Sequence, residues 1–128
     1  MSTFYEQVGG EPFFNDFVSQ FYARVATDPI LRPMYPEKDM QGAALRFKMF
    51  LEQYWGGPTT YSDERGHPRL RMRHAGFHID LAARDAWLAC AMGALDGMQM
   101  PDANRVQLRE YLEMAAHGMV NSSEMRSL

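Results

Sequence analysis

The sequence predicts an all-α fold. Apolar residues recur at helical spacing along most of the chain, and nothing alternates with period two for long enough to make a strand. Breaks of the Gly-Gly, Asp-Pro and Gly-Pro type separate the apolar stretches. At 128 residues, with no repeat, low-complexity segment or dividing linker, residues 1–128 read as one domain. A chain of this length buries about two-thirds of the surface its unfolded form exposes, which suffices for a core without disulfides.

The elements follow in order. Residues 3–8 make at most a short opening helix, stopped by Gly9-Gly10. Pro12 suits the first turn of a helix over about 11–27. Phe14, Phe17, Val18, Phe21, Tyr22 and Val25 give that helix an aromatic face. Asp28-Pro29 ends it, and a short turn carrying Ile30, Leu31, Met34 and Tyr35 runs to Pro36. Asp39 is the expected N-cap of a helix over about 39–55, whose apolar face is Ala43, Phe47, Phe50, Leu51 and Tyr54.

Gly56-Gly57-Pro58 terminates that helix and a polar loop is expected over 58–66. His67-Pro68 then opens a short helix over 67–75, with Leu70 and His74 on one face and Arg69 and Arg73 on another. Asp80 caps a helix over about 80–97, with Leu81, Leu88, Ala91, Met92 and Leu95 inward and Trp87 beside them. Pro101 starts the last helix, to about 121, with Leu108, Tyr111, Leu112, Ala115 and Met119 on its core face. A fraying tail is expected from Asn121.

Composition narrows the function classes. The net charge of −3 and pI near 5.8 argue against a general nucleic-acid binder. Cys90 is the only cysteine, which excludes an intrachain disulfide and a cysteine-cluster metal site, and there is no C-x-x-C-H to link a haem by thioether bonds. No basic segment followed by an apolar run opens the chain, and no run of about 20 apolar residues occurs, so a cytoplasmic protein with weak or no membrane association is expected. The 11 methionines read as adaptable core filling. No nucleophile elbow, phosphate loop or H-E-x-x-H is present.

Of the four histidines, His74 stands out because Arg69, Arg71 and Arg73 lie beside it. A haem needs a neutral imidazole at its iron and cations near its two propionates. A lone helical histidine is, however, more often a surface or hydrogen-bonded core residue. His67 and His74, seven apart, could share a face, but no third ligand is spaced with them. His78 is expected to be exposed, and His117 partly buried without a role. Tyr22, Tyr35 and Trp87 read either as ordinary packing residues with one hydrogen bond each or as donors aimed at a small polar ligand.

Several runs together resemble the truncated haemoglobins, specifically the second group in its actinobacterial-like form. They are F-Y-E-Q-V-G-G at 4–10, F-Y-A-R-V at 21–25, L-R-P-M-Y-P at 31–36, K-M-F-L-E-Q-Y-W-G-G-P at 48–58 and R-G-H-P-R-L-R-M-R-H at 65–74. Trp87 follows thirteen residues after His74. The resemblance covers nearly the whole chain. It implies a two-over-two helical sandwich around haem b, with His74 as the proximal iron ligand. It implies distal donors at Tyr22, Tyr35 and Trp87, and Ala43 where larger globins usually have a histidine. Phe47, Phe50, Leu51 and Tyr54 would line the haem, Arg46 and Arg73 would meet its propionates, and Leu70, Phe77 and Ile79 would complete the proximal side.

Phe47 stands where this group more often has leucine. A phenyl ring there is expected to crowd the distal site or to swing as a gate, with Ala43 opening room beside it. Tyr35 is likewise a subgroup choice. The implied partners are O2, NO, CO, peroxide and a reductase, and association into homo-oligomers is left open. Three donors on bound O2, each contributing about 1.5–3 kcal/mol when aligned, imply slow release and suit NO dioxygenation or peroxidase-like chemistry. A ligand-sensing or haem-carrying module without turnover, and a cofactor-free helical interaction domain, stand as alternatives.

Overall fold

The computed structural model describes residues 2–35, 39–66 and 79–121. All the regular elements among them are helical: α1 (Phe4–Gln7), α2 (Glu11–Val25), a 3-10 turn (Arg32–Met34), α3 (Met40–Tyr54), α4 (Thr60–Arg65), α5 (Leu81–Asp96) and α6 (Asp102–Met119). The helix expected over 67–75 lies outside the described residues.

The aromatic face of α2 builds the core. Phe14, Phe17, Phe21 and Val25 are wholly buried, and Phe13 and Val18 nearly so. That ridge packs against α3 on one side and α5 on the other, and α5 in turn packs on α6. Small residues let α5 approach α2 closely: Cys90, Ala91 and Ala94 are all buried. The result is two helix pairs laid across one another.

α1 is short but fixed at both ends. Thr3 and Glu6 form a reciprocal capping box, with the Glu6 N–H donating to Thr3 Oγ1 (3.2 Å) and the Thr3 N–H to Glu6 Oε1 (2.9 Å). The Tyr5 N–H then donates to the Trp55 carbonyl at 2.9 Å. Gly56 and Gly57 are therefore more than a helix stop. Gly56 has φ +94°, and a Cβ there would lie 2.7 Å from Thr3 Cβ. A Cβ on Gly57 would lie 2.6 Å from the Tyr5 ring and 2.9 Å from the Glu52 carbonyl oxygen. The glycine pair is the saddle on which α1 sits.

Several local expectations change. Asp39 stands at the α3 N-cap, but its carboxylate makes no capping bond and instead accepts from Arg46 at 2.7 Å. The polar stretch 58–66 is not all loop: it folds into α4. Gln53 holds it by accepting from the Ser62 N–H (2.9 Å) and donating to Ser62 Oγ (2.7 Å), and Tyr61 is buried. Asp80 does cap α5, accepting from the Ala83 N–H at 2.9 Å. Leu81 is half exposed rather than inward, because it opens the helix on the outer side. Asn121 is tied down: its N–H donates to the Ile79 carbonyl (2.9 Å), and its Oδ1 accepts from the Ile79 N–H (2.8 Å). His117 is exposed on α6 rather than partly buried.

Glu52 is a buried carboxylate, 8% exposed, beside the Lys48–Glu11 ion pair and the Tyr5 hydroxyl. Burial raises its pKa, and the Lys48 ammonium opposes that. Arg105 closes the far end of the fold, donating to the Leu95 carbonyl in the last turn of α5 and to the Met98 carbonyl just beyond it.

The Gly57→Ala variant is expected to lose about 1–3 kcal/mol, because its methyl group collides with the Tyr5 ring of the capped α1 and with the Glu52 carbonyl of α3. A urea midpoint equal to that of the wild type would show that Tyr5 does not rest on this glycine.

Candidate functional site

A cavity of about 520 Å³ opens between α3, the start of α5 and the end of α6. Helical spacing puts its walls in place. Ala43, Arg46, Phe47 and Phe50 form one stripe of α3, Ala83 and Trp87 stand one turn apart on α5, and Tyr111, Ala115 and Met119 run along α6. Tyr22 of α2 and Tyr35, just past the 3-10 turn, close one end, with Leu31 and Met34 beside them. Ile79, held by its two bonds to Asn121, completes the wall before α5.

Tyr22, Tyr35, Arg46, Phe47, Phe50, Ile79 and Trp87 are thus brought together, with Ala43. Leu51 and Tyr54 are not among the lining residues. Leu51 turns wholly into the core against α2, and Tyr54 stands half exposed a turn beyond, its ring 4.3 Å from Tyr111. Leu70, Arg73, His74 and Phe77 lie outside the described residues. Tyr61, Arg65, Arg84 and Tyr111 also line the cavity, beyond the residues expected there. The spacing of Arg84 three before Trp87, and of Tyr111 four before Ala115, carried that signal.

Tyr22 and Tyr35 meet edge to face, with ring centroids 5.7 Å apart. Burial pushes both phenols above their ordinary range. The neighbouring Tyr35 pushes Tyr22 further up, while the neighbouring Tyr22 works against the rise at Tyr35. The Tyr22 hydroxyl also reaches the Ala43 carbonyl at 3.5 Å, too long for a strong bond. The Tyr35 backbone is fixed by Arg32, which donates to its carbonyl at 2.7 Å. Trp87 is half-buried, and its indole N–H has no acceptor among the described residues.

Three guanidinium groups reach the cavity. Arg46 pairs with Asp39 at 2.7 Å, Arg84 forks onto Asp85 at 2.8 and 3.0 Å, and Arg65 lies 6.0 Å from the centre of the Tyr61 ring. The Arg46–Asp39 pair is exposed enough to add little stability, so Arg46 can turn to a ligand carboxylate at small cost. An aromatic, largely apolar chamber with arginines at its walls fits a flat apolar macrocycle bearing carboxylates. Among the described residues no group of three or more His, Cys, Asp or Glu could hold a metal ion, and His117, the one described histidine, does not line the cavity.

The bacterial-like globin family profile matches residues 3–121. The group 2 truncated hemoglobin YjbI of Bacillus subtilis (strain 168) is 42% identical over 94% of this chain and 89% of its own length. The crystal structure of a thermostable hemoglobin from the actinobacterium Thermobifida fusca superposes with a TM-score of 0.93 at 53% identity, covering 96% of this chain and 100% of that one. A truncated oxygen-avid haemoglobin from Bacillus subtilis superposes with a TM-score of 0.87 at 42% identity, covering 94% of this chain and all (100%) of that one.

Raised phenol pKa values keep Tyr22 and Tyr35 protonated to higher pH than free tyrosine. In an ultraviolet phenolate titration, Tyr22→Phe and Tyr35→Phe are expected to lose no absorbance change near pH ~10, where an ordinary phenol ionises. Loss of one tyrosine's signal there in either variant would show that burial does not hold that group.

Proposed function

The chain belongs to the bacterial-like globin family, in its group II truncated haemoglobin branch, and from this premise we propose that it is a high-affinity O2-binding haem protein with redox activity. As a globin it binds haem and diatomic ligands. The haem, when bound, supplies an iron centre that takes O2, NO or CO and exchanges electrons with them.

The chain's own residues do the rest. His74 would hold the iron through a neutral imidazole. Arg46 and Arg84, with Arg73 by resemblance, would meet the propionates. The cofactor would be haem b, held without thioether bonds, since the sole cysteine, Cys90, is buried in α5. Phe47, Phe50 and Tyr111 line the cavity with aromatic surface and would limit the access of water to the ligand. Tyr22, Tyr35 and Trp87 would donate to it.

The observation that carries the reading is the convergence of those three donors on one cavity, with the Trp87 N–H unmatched among the described residues. A donor on a cavity wall with no acceptor among the described residues would be available to a ligand. The oxygen-avid character of the similar Bacillus subtilis protein agrees with tight retention. Slow release suits oxidation of NO to nitrate, or turnover of peroxide, in a cytoplasmic setting with electrons from a reductase. Among the described residues, no helix is long and apolar enough to cross a membrane.

Stopped-flow O2 dissociation tests the donors. Trp87→Phe and Tyr22→Phe should each release O2 about tenfold faster or more, the effect of losing about 1.5–3 kcal/mol. Unchanged rates in both would remove the donor cluster. His74→Ala should lose the histidine-haem spectrum, and a normal five-coordinate spectrum in that variant would place the iron ligand elsewhere.

A further inference from the structure

We propose that Phe47, backed by Phe21, is a fixed positioning residue that sets the direction of the Trp87 indole, and is not a swinging gate. The proposal deepens the reading of Tyr22 and Trp87 as donors and rests on it. Four rings from three helices meet here: Phe21 and Tyr22 of α2, Phe47 of α3 and Trp87 of α5. Phe21, wholly buried, is the hub, with centroids 4.9 Å from Tyr22, 5.3 Å from Phe47 and 5.3 Å from Trp87. Phe47 in turn stands 6.2 Å from Tyr22 and 6.2 Å from Trp87. Every one of these contacts is tilted or edge-to-face, the geometry that the ring quadrupole favours.

A side chain with a hydrogen-bonded N–H is oriented by that bond. Among the described residues the Trp87 N–H has no acceptor, and what orients the indole there is packing. The two rings that touch it are Phe21 and Phe47. Phe21 belongs to the core and cannot move. Phe47 lines the cavity and supplies the other contact, braced by three rings. A swing of Phe47 would break all three contacts at once and leave the indole free to rotate. A leucine at 47 fills part of the volume but offers no flat face to an indole edge.

A gate and a positioning residue predict different results. The carbonmonoxy protein labelled with 15N-tryptophan gives two indole N–H signals, assigned through Trp55→Phe. Phe47→Leu is expected to speed hydrogen exchange at the Trp87 indole about tenfold and to leave Trp55 unaffected. Phe47→Tyr, which keeps the ring, should retain the slow exchange. In stopped flow, Phe47→Leu should release O2 several-fold faster, and that increment should largely vanish in a Trp87→Phe background. Unchanged exchange with a change confined to CO association would overturn the proposal in favour of a steric gate. Full additivity with Trp87→Phe would also overturn it. If Trp87→Phe alone leaves O2 release unchanged, the donor reading fails, and the exchange comparison still decides whether Phe47 orients the indole.

Discussion

Burial of the α2 aromatic ridge is the constraint on which the other elements depend. Phe14, Phe17 and Phe21 are wholly buried, and each such side chain contributes about 1.5–3 kcal/mol by leaving water. The ridge is wide enough to seat two helices, α3 and α5, and it fixes how far apart they stand. A cavity follows as a consequence. α3 turns Leu51 toward the ridge and Ala43, Phe47 and Phe50 toward the opening, so one helix serves both core and chamber. Phe21 belongs to both as well: it is wholly buried in the core and supports the rings of Tyr22, Phe47 and Trp87 at the cavity.

The chamber keeps its shape through clasps at its margins. Asn121 holds Ile79 from both sides, Asp80 caps α5 directly after it, and Arg32 holds the backbone of Tyr35. At the opposite end α1 lies on the Gly56-Gly57 saddle, which fixes where α3 stops. These local bonds use ordinary capping and backbone chemistry. Their combined effect is that a half-buried site, which needs open space, is surrounded by backbone that cannot relax into it.

The helices were legible because their apolar stripes are long and regular. Where a polar group found a tertiary partner, local pattern was a poor guide. α4 reads as loop because its sequence is polar, yet Gln53 and the burial of Tyr61 fold it. Asp39 looks like a cap, but Arg46, seven residues on, competes for it with a full charge. Asn121 looks like the start of a tail until Ile79, far back in sequence, supplies both a donor and an acceptor. Site residues divide similarly. Tyr22, Tyr35, Phe47 and Trp87 are legible as site residues through the family resemblance, since the residues alone leave Tyr22, Tyr35 and Trp87 open between packing and donation and put Phe47 on an apolar face. Tyr61 and Tyr111 read as no more than polar loop and core stripe, because their helices bend back onto the chamber only in the folded chain.

The central claim is that this chamber binds haem and presents it to diatomic gases. The most direct test is the visible absorption spectrum of the purified protein, ferric, then reduced, then under CO and O2. The account predicts a Soret band that shifts on reduction and again with CO, together with a persistent oxy form. No Soret band, even after added haemin, would contradict it and leave the aromatic chamber without its ligand.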